Sequence, residues 1–583
     1  MQVKRTTEDD VVEPLTKPFR RLKHSHGDSG PQPSGVGSGG REESGNSSNT
    51  GDTEEGGEHL PPAGTHGEAG KAEGTSPRGE PYGALGGGGP SAGFEGKLFV
   101  HMDLKGAPPV PSFLIACLEC FAQWGADGVV MEWEDMLPFE GALAGVCNEH
   151  HYSPAEVEGI LAAAARLDLD VIPLVQSFGH LEFVLKHDEF AAYREDADEW
   201  LCLCPLVPGS SELAKELVRQ TMALHPGCSH IHIGCDEVFD LGSCPRCESK
   251  MCTHGREALF FDFVEGVLDE CLSLGVKSLL WHDMFVGASA HVMQEVLASR
   301  GAEPVVWNYG DLSSISDGTM ADLSEAFPGR VWGASAYKGA SEPDAVWVPL
   351  ARHIQNHIMW LDRHQQTPLC GIILTGWSRF NHTAALCELL PAAMPSLCLC
   401  LATLRNGFYC PELRAKCFNE LLICKLSDTH VPSMSEFLSF GGSTPPAFPG
   451  GVLFCLLGRL EVVRNLIARG EEQRRVFCPP FTARPNRRVW KQIQDACESG
   501  AVEIESLRAG LAEELALIYY TTDVDEFMEA KVEQLRARCH LLRSTVTPLL
   551  GVTGGYRANQ GVAAEVLATA QSEMAVMEEP AMD

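Results

Sequence analysis

A chain of 583 residues with 44% hydrophobic content can bury at least one sizeable core and has room for two or more domains. Its formal net charge of −34 argues against nucleic acid and acidic membrane as partners, since both demand basic surface. No apolar run reaches the ~18 residues that a bilayer-spanning helix needs, so no membrane partner is expected.

In chain order, the first segment, MQVKRTTEDDVVEPL, lacks the apolar stretch of a secretory signal. Lys4 and Arg5, then Lys17 to Lys23 (KPFRRLK), have the spacing of a bipartite nuclear import signal, and equally that of a solvated basic stretch. From His26 to Ser91 the chain is Gly, Ser, Glu, Pro and Asn with almost no large apolar residues, too few to offset the entropy of ordering. Residues 1–95 are therefore expected to be a disordered low-complexity tail.

Eight short apolar runs follow, each ending in polar or aromatic residues: LFVHMDLKG from Leu98, GVVMEWED from Gly128, VIPLVQSFGH from Val171, IHIGCDEV from Ile231, SLLWHDMF from Ser278, PVVWNYGD from Pro304, VWGASAYKG from Val331 and GIILTGWSRFNH from Gly371. Between them, Pro154 to Leu167, Ser211 to Leu224 and Leu259 to Leu274 carry apolar residues at helical spacing. Buried strands alternating with amphipathic helices predict an α/β protein with a parallel sheet, and this many repeats predict a closed (β/α)8 TIM barrel over residues 96–404. Pro411 to Leu426, Val452 to Arg469 and Val502 to Tyr519 read as amphipathic helices of an accessory domain over 405–565, with an acidic tail at 566–583.

The active site of such a barrel lies at the strand C-terminal ends, which groups Asp103, Glu134, His180, Asp236, Glu237, Asp283 and Tyr309. Any one of them alone would more often be a satisfied structural group. The fourth run is the most informative, because it ends in two adjacent carboxylates, Asp236 and Glu237. Strand neighbours point to opposite faces, so both reach one site only if the strand stops there and Glu237 turns into the loop. Side by side, they can hardly bracket a sugar carbon at the roughly 5–9.5 Å separations of ordinary glycosidases, and a nucleophile would come from elsewhere. An acidic helix N-terminus or a solvated loop is the plainer alternative.

Just beyond, Cys244, Cys247, Cys252 and His254 have zinc-like spacing, C-x2-C-x4-C-x-H, which surface thiols could also give by chance. Many of the 22 cysteines, such as Cys117, Cys235, Cys271 and Cys398, fall inside expected strands and helices and suit a reducing compartment. A glycan on the Asn381 sequon would obstruct the mouth of the barrel. A cytoplasmic protein, with entry to the nucleus if the basic segment acts as a signal, is expected. No nucleophile elbow and no phosphate-binding loop is present, and the expected chemistry needs no cofactor.

The run HIGCDEV, the QSFGH segment ending at His180, and Trp281, Trp307 and Trp377 at strand ends resemble the hexosaminidases of glycoside hydrolase family 20, in particular the hexosaminidase D branch, over Leu98 to Leu404. The resemblance implies a retaining exo-β-N-acetylhexosaminidase in which the substrate's own 2-acetamido oxygen attacks, giving an oxazolinium intermediate. It assigns Glu237 as acid and base and Asp236 as the group that orients the acetamide. Trp281, Trp307 and Trp377 would wall the sugar, although each alone could equally pack a core. Tyr309 or Tyr337 would donate to the acetamide oxygen, with Asp103, Glu134, His180 and Asp283 among the sugar-binding groups. The chain departs from the family at the hydroxyl grip. Strand one carries Asp103 and Lys105 where many members have arginine, and Arg379 stands where a carboxylate is common, so the choice between N-acetylglucosamine and N-acetylgalactosamine stays open, with the branch associated with the galacto sugar. A small glycoside or glycoconjugate is the implied partner, and a homodimer is left open. Two rivals remain: an enzyme nucleophile such as Asp283 or Glu134, or a non-catalytic barrel that binds N-acetylhexosamines.

Overall fold

Eight parallel strands close into a barrel in sequence order: β1 (Lys97–Asp103), β2 (Gly128–Glu132), β3 (Asp170–Leu174), β4 (His230–His232), β5 (Lys277–Trp281), β6 (Ala302–Trp307), β7 (Trp332–Lys338) and β8 (Gly371–Gly376). This computed structural model describes residues 93–424, 426, 433–434, 445–477 and 486–550. The basic segment, the low-complexity tail up to residue 92 and the acidic C-terminal tail lie outside the described residues. Closure is made by β1, which pairs with β2 at Phe99↔Gly128 and with β8 at Phe99↔Ile373.

The runs of Val, Ile, Leu and Phe become strands because both faces are covered. One face packs against the helices. The other fills the barrel with Phe99, Val130, Ile172, Leu174, Leu279, Trp281, Val305, Trp332, Ala334 and Ile373. Since strand side chains alternate, the same inward parity continues from Phe99 to His101 and Asp103, from Val130 to Glu132, and from Leu174 to Gln176 just beyond its strand. This sets a polar layer above an apolar one. His101 and Glu132 meet there at 2.8 Å, and Gln176 Nε2 donates to Glu132 Oε1 at 3.2 Å. Burial would raise the Glu132 carboxyl, but Lys105 and His101 bring it well below its usual value.

The surrounding helices follow the expected periodicity. Pro154–Arg166 begins with a capping box in which the Ser153 side chain and Glu156 satisfy each other's backbone N–H groups. Ser210–Ala223 and Arg256–Ser273 cover further strands. Three long helices follow the barrel: Gly451–Phe477, Arg487–Leu515 and Gln534–Leu550. The second starts well before the expected Val502, because Trp490, Ile493, Cys497 and Gly500 already form a buried stripe at helical spacing. The barrel and these helices belong to one compact unit beginning at Pro90. They join through Val110 N–H donating to Ile518 O at 2.7 Å, stacking of His150 on Tyr520 and Lys531 Nζ donating to Asp344 O at 3.0 Å. No helix among the described residues is long and apolar enough to cross a membrane.

Candidate active site

The C-terminal ends of the strands open onto a cleft of about 300 Å³, the small end of the range for small-molecule sites. Lys105 after β1, Gln176 and His180 after β3, Asp236 and Glu237 after β4, Trp307 and Tyr309 from β6 and Trp377 after β8 all line it. The segment Gly339–Pro343 after β7 closes one side, and Phe380, 70% exposed, stands at the rim.

The paired carboxylates share the cleft because β4 is short. It stops at His232, and the backbone then passes through positive φ at Gly234, Cys235 and Glu237 (67°, 70° and 48°). Glycine suits position 234, since its φ is positive and a Cβ there would displace the Gln176 side-chain amide. His180 and Glu134, at two other strand ends, also hold positive φ, a strain that non-glycine residues adopt only where surrounding structure enforces it. The Gly-His pair after β3 has a steric reason as well. A Cβ on Gly179 would run into the Asp236 carbonyl, so only glycine lets the two loops approach.

His180 Nε2 lies 3.6 Å from Asp236 Oδ2 and 3.2 Å from Glu237 Oε2. Burial alone would lower the imidazole, but Asp236 and then Glu237 raise it to about 10. Burial pushes the Asp236 carboxyl up to about 7, with Asp283 and Glu237 adding to the rise and His180 opposing it. Asp236 Oδ1 is buried and has no hydrogen-bond partner among the described residues. An acceptor left so costs free energy unless a ligand donates to it.

Asp283 lies behind this pair rather than in the cleft. Its Oδ2 accepts from the Glu237 N–H at 2.9 Å and its Oδ1 from Trp307 Nε1 at 3.0 Å. Trp307 stacks on Tyr309 with ring centroids 5.5 Å apart, and Tyr309 meets Trp377 at 6.4 Å. These three rings form the aromatic wall. Trp281 does not reach the cleft: it is 1% exposed, packs in the barrel interior and lies beneath Trp377 at 6.3 Å. Tyr337 is also withdrawn. The register of β7 shifts between Ala336 and Lys338, leaving Tyr337 unpaired at the irregularity, where it packs with the helix-facing core rather than with the inward Trp332 and Ala334 and donates to the His101 carbonyl at 3.2 Å. Of the two tyrosines, only Tyr309 lines the cleft.

Asp103 and Glu134 hold Lys105 rather than the cleft surface. Lys105 Nζ is 3.9 Å from Asp103 Oδ2, 3.5 Å from Glu134 Oε1 and 5.5 Å from the centre of the Trp377 ring. Burial would lower this ammonium, but Asp103, Glu134 and Glu132 raise it well above its usual value. Glu134 also pairs with His382. Arg379 borders the cleft, yet its guanidinium is engaged: Nε donates to Lys105 O at 3.0 Å, and Nη1 and Nη2 each donate to Glu526 at 2.7 Å. Sequence reasoning missed Gln176, the His101–Glu132 pair and Glu526. Inward parity would have found the first three, whereas nothing local in the sequence marks Glu526.

The expected cysteine cluster is corrected. Cys244 and Cys247 come together, but Cys252 and His254 are exposed, because Pro245–His254 is a helix that carries Cys252 about 12 Å along its axis from Cys244. Cys204 and Glu195, from the loop after β3, take their places.

A family model described as "Glycosyl hydrolase family 20, catalytic domain" matches residues 135–315. Hexosaminidase D of Homo sapiens is 35% identical over 470 residues, covering 76% of this chain and 93% of the relative. Hexosaminidase D of Bos taurus is 37% identical over 344 residues, covering 56% and 98%. Among solved structures, a β-N-acetylhexosaminidase from Bacteroides fragilis is 14% identical, with a TM-score of 0.40, over 54% of this chain and 66% of its own.

Proposed function

We propose, from the premise that this chain belongs to glycosyl hydrolase family 20 and is a β-N-acetylhexosaminidase, that it removes terminal β-linked N-acetylhexosamine by substrate-assisted attack with retention. The carrying observation is the unpaired, buried Oδ1 of Asp236 beside Glu237 in an aromatic-walled cleft. An acetamide N–H donating to that oxygen would hold the group under the anomeric carbon. Its carbonyl oxygen then forms the new C1–O bond as the glycosidic C1–O bond breaks, and Glu237 gives its proton to the departing oxygen. Water later opens the ring with Glu237 taking the proton back, so no proton is gained or lost overall. Tyr309 is placed on the wall from which a hydroxyl can stabilise charge on the acetamide oxygen.

Two observations weigh against an enzyme nucleophile on the carboxylates that sequence offered. Both oxygens of Asp283 already accept hydrogen bonds, and Glu134 is tied to Lys105 and His382. Neither lines the cleft. The free thiols among the described residues accord with a cytoplasmic site of action.

The deciding experiment compares aryl β-glycosides with and without the 2-acetamido group, and Glu237→Gln with the unaltered protein. Turnover restricted to acetamido substrates, loss of ~10³-fold or more in the variant, and tight inhibition by a thiazoline that mimics the cyclised intermediate are expected. Sugar binding without turnover would instead establish a non-catalytic barrel, and a trapped glycosyl-enzyme would establish a protein nucleophile.

A further inference from the structure

We infer that Cys204, Cys244, Cys247 and Glu195 form a structural zinc site that clamps the two loops carrying His180 and Glu237. Their ligand atoms all lie within 4.8 Å of one another. Cys204 Sγ is 3.6 Å from both Cys244 Sγ and Cys247 Sγ. That is far longer than the ~2.05 Å of a disulfide. It is close to the ~3.8 Å between sulfurs on a tetrahedral zinc with bonds of about 2.3 Å.

The second observation is Glu195. Its residue is 3% exposed, and Oε1 accepts from the N–H groups of Gly242 and Cys244 at 2.9 and 3.1 Å. Oε2 is buried and faces the Cys204 and Cys247 thiols. A carboxylate buried beside three thiols is costly to keep charged, and a cation in their midst removes the cost. Two positive features also lie beside the sulfurs. Cys244 caps the helix Pro245–His254, accepting from the Cys247 N–H at 3.4 Å, so its sulfur faces the positive end of that helix. Arg246 Nη2 stands 4.0 Å from Cys204 Sγ. On loading, Zn²⁺ replaces the three thiol protons and accepts one carboxylate oxygen, giving a closed four-ligand set with no position for substrate, as structural sites have.

The placement explains what such an ion would do. Cys204 follows a short hairpin bridged at Arg194↔Leu203, and Leu203 N–H donates to Phe178 O at 3.0 Å, next to the Gly179–His180 pair. Cys244 and Cys247 end the loop that starts at Glu237. One ion would therefore tie together the two segments whose close approach builds the site.

The test is metal content of the untagged full-length protein, produced with zinc and without chelator. About one zinc per chain is expected, falling below about 0.2 in Cys204→Ser and in Glu195→Gln, and unchanged in Cys252→Ser and His254→Ala. If the loss variants do not fold, the unaltered protein still decides. Mercurial titration of its thiols should release zinc in proportion, and cobalt loading should give the visible bands of a tetrahedral thiolate site. Absence of zinc, another metal in its place, zinc retained by Cys204→Ser, or a disulfide among the three cysteines would overturn the assignment. Because the readout is metal rather than turnover, its failure is distinct from failure of the hexosaminidase reading.

Discussion

Asp283 holds the backbone of Glu237: its Oδ2 accepts the Glu237 N–H at 2.9 Å while its Oδ1 accepts from Trp307 Nε1 at 3.0 Å. One carboxylate thus sets the position of the proposed acid and base on β4's loop and of a cleft wall at the end of β6. Asp283→Ala should lower kcat by ~10²-fold, since small misplacements of a reacting group cost that much, with a rise in KM as Trp307 loosens. Steady-state kinetics check this, and an unchanged kcat would remove the positioning role.

The acid limb of the pH profile should report Asp236. Its carboxyl titrates near 7 because burial disfavours the anion, and the proposed mechanism needs the anion to accept the acetamide N–H. Turnover should therefore rise as pH increases through about 7. His180, protonated up to about 10, lowers the Asp236 value, so His180→Asn should move the limb to higher pH while Asp236→Asn abolishes it. The midpoint, not the amplitude, is the quantity to read.

The two tyrosines should behave differently. Tyr309→Phe removes a hydroxyl on the cleft wall and should cost ~10- to 10³-fold in kcat, as loss of a donor at a developing charge does. Tyr337→Phe loses a hydrogen bond to the His101 carbonyl in the helical layer and should cost about 1 kcal/mol of stability with little change in kcat. The opposite pattern in matched kinetics and denaturation would exchange their roles.

Glu526→Gln tests the coupling of the C-terminal helices to the barrel. Arg379 is 6% exposed and held by both oxygens of Glu526. Weakening that pair should lower stability by roughly 1–3 kcal/mol, read as a lower urea midpoint at unchanged slope. Because Arg379 also donates to Lys105 O, KM should rise more than kcat falls.

The eight apolar runs determined the barrel, because a strand buried on both faces needs continuous Val, Ile and Leu, and the period of alternation with helices is written locally. The Asp236–Glu237 pair and the QSFGH segment were equally legible, since their residue types and spacing are local facts. What a local reading could not decide were long-range choices. Two tyrosines near strand ends looked equivalent until the register shift at the end of β7 set Tyr337 in the helix-facing core, away from the cleft. Asp283, read as a sugar ligand or a nucleophile, lies outside the cleft lining with each oxygen accepting from Glu237 or Trp307 on two other strands. Glu526, 147 positions from Arg379, carries no motif at all. Cys252 and His254 fitted a metal spacing along the chain, yet a helix carries them outward while Cys204 and Glu195 arrive from a different loop. Sequence periodicity fixes which face of an element is buried; only the closed barrel decides which side chains from distant elements meet at one end of it.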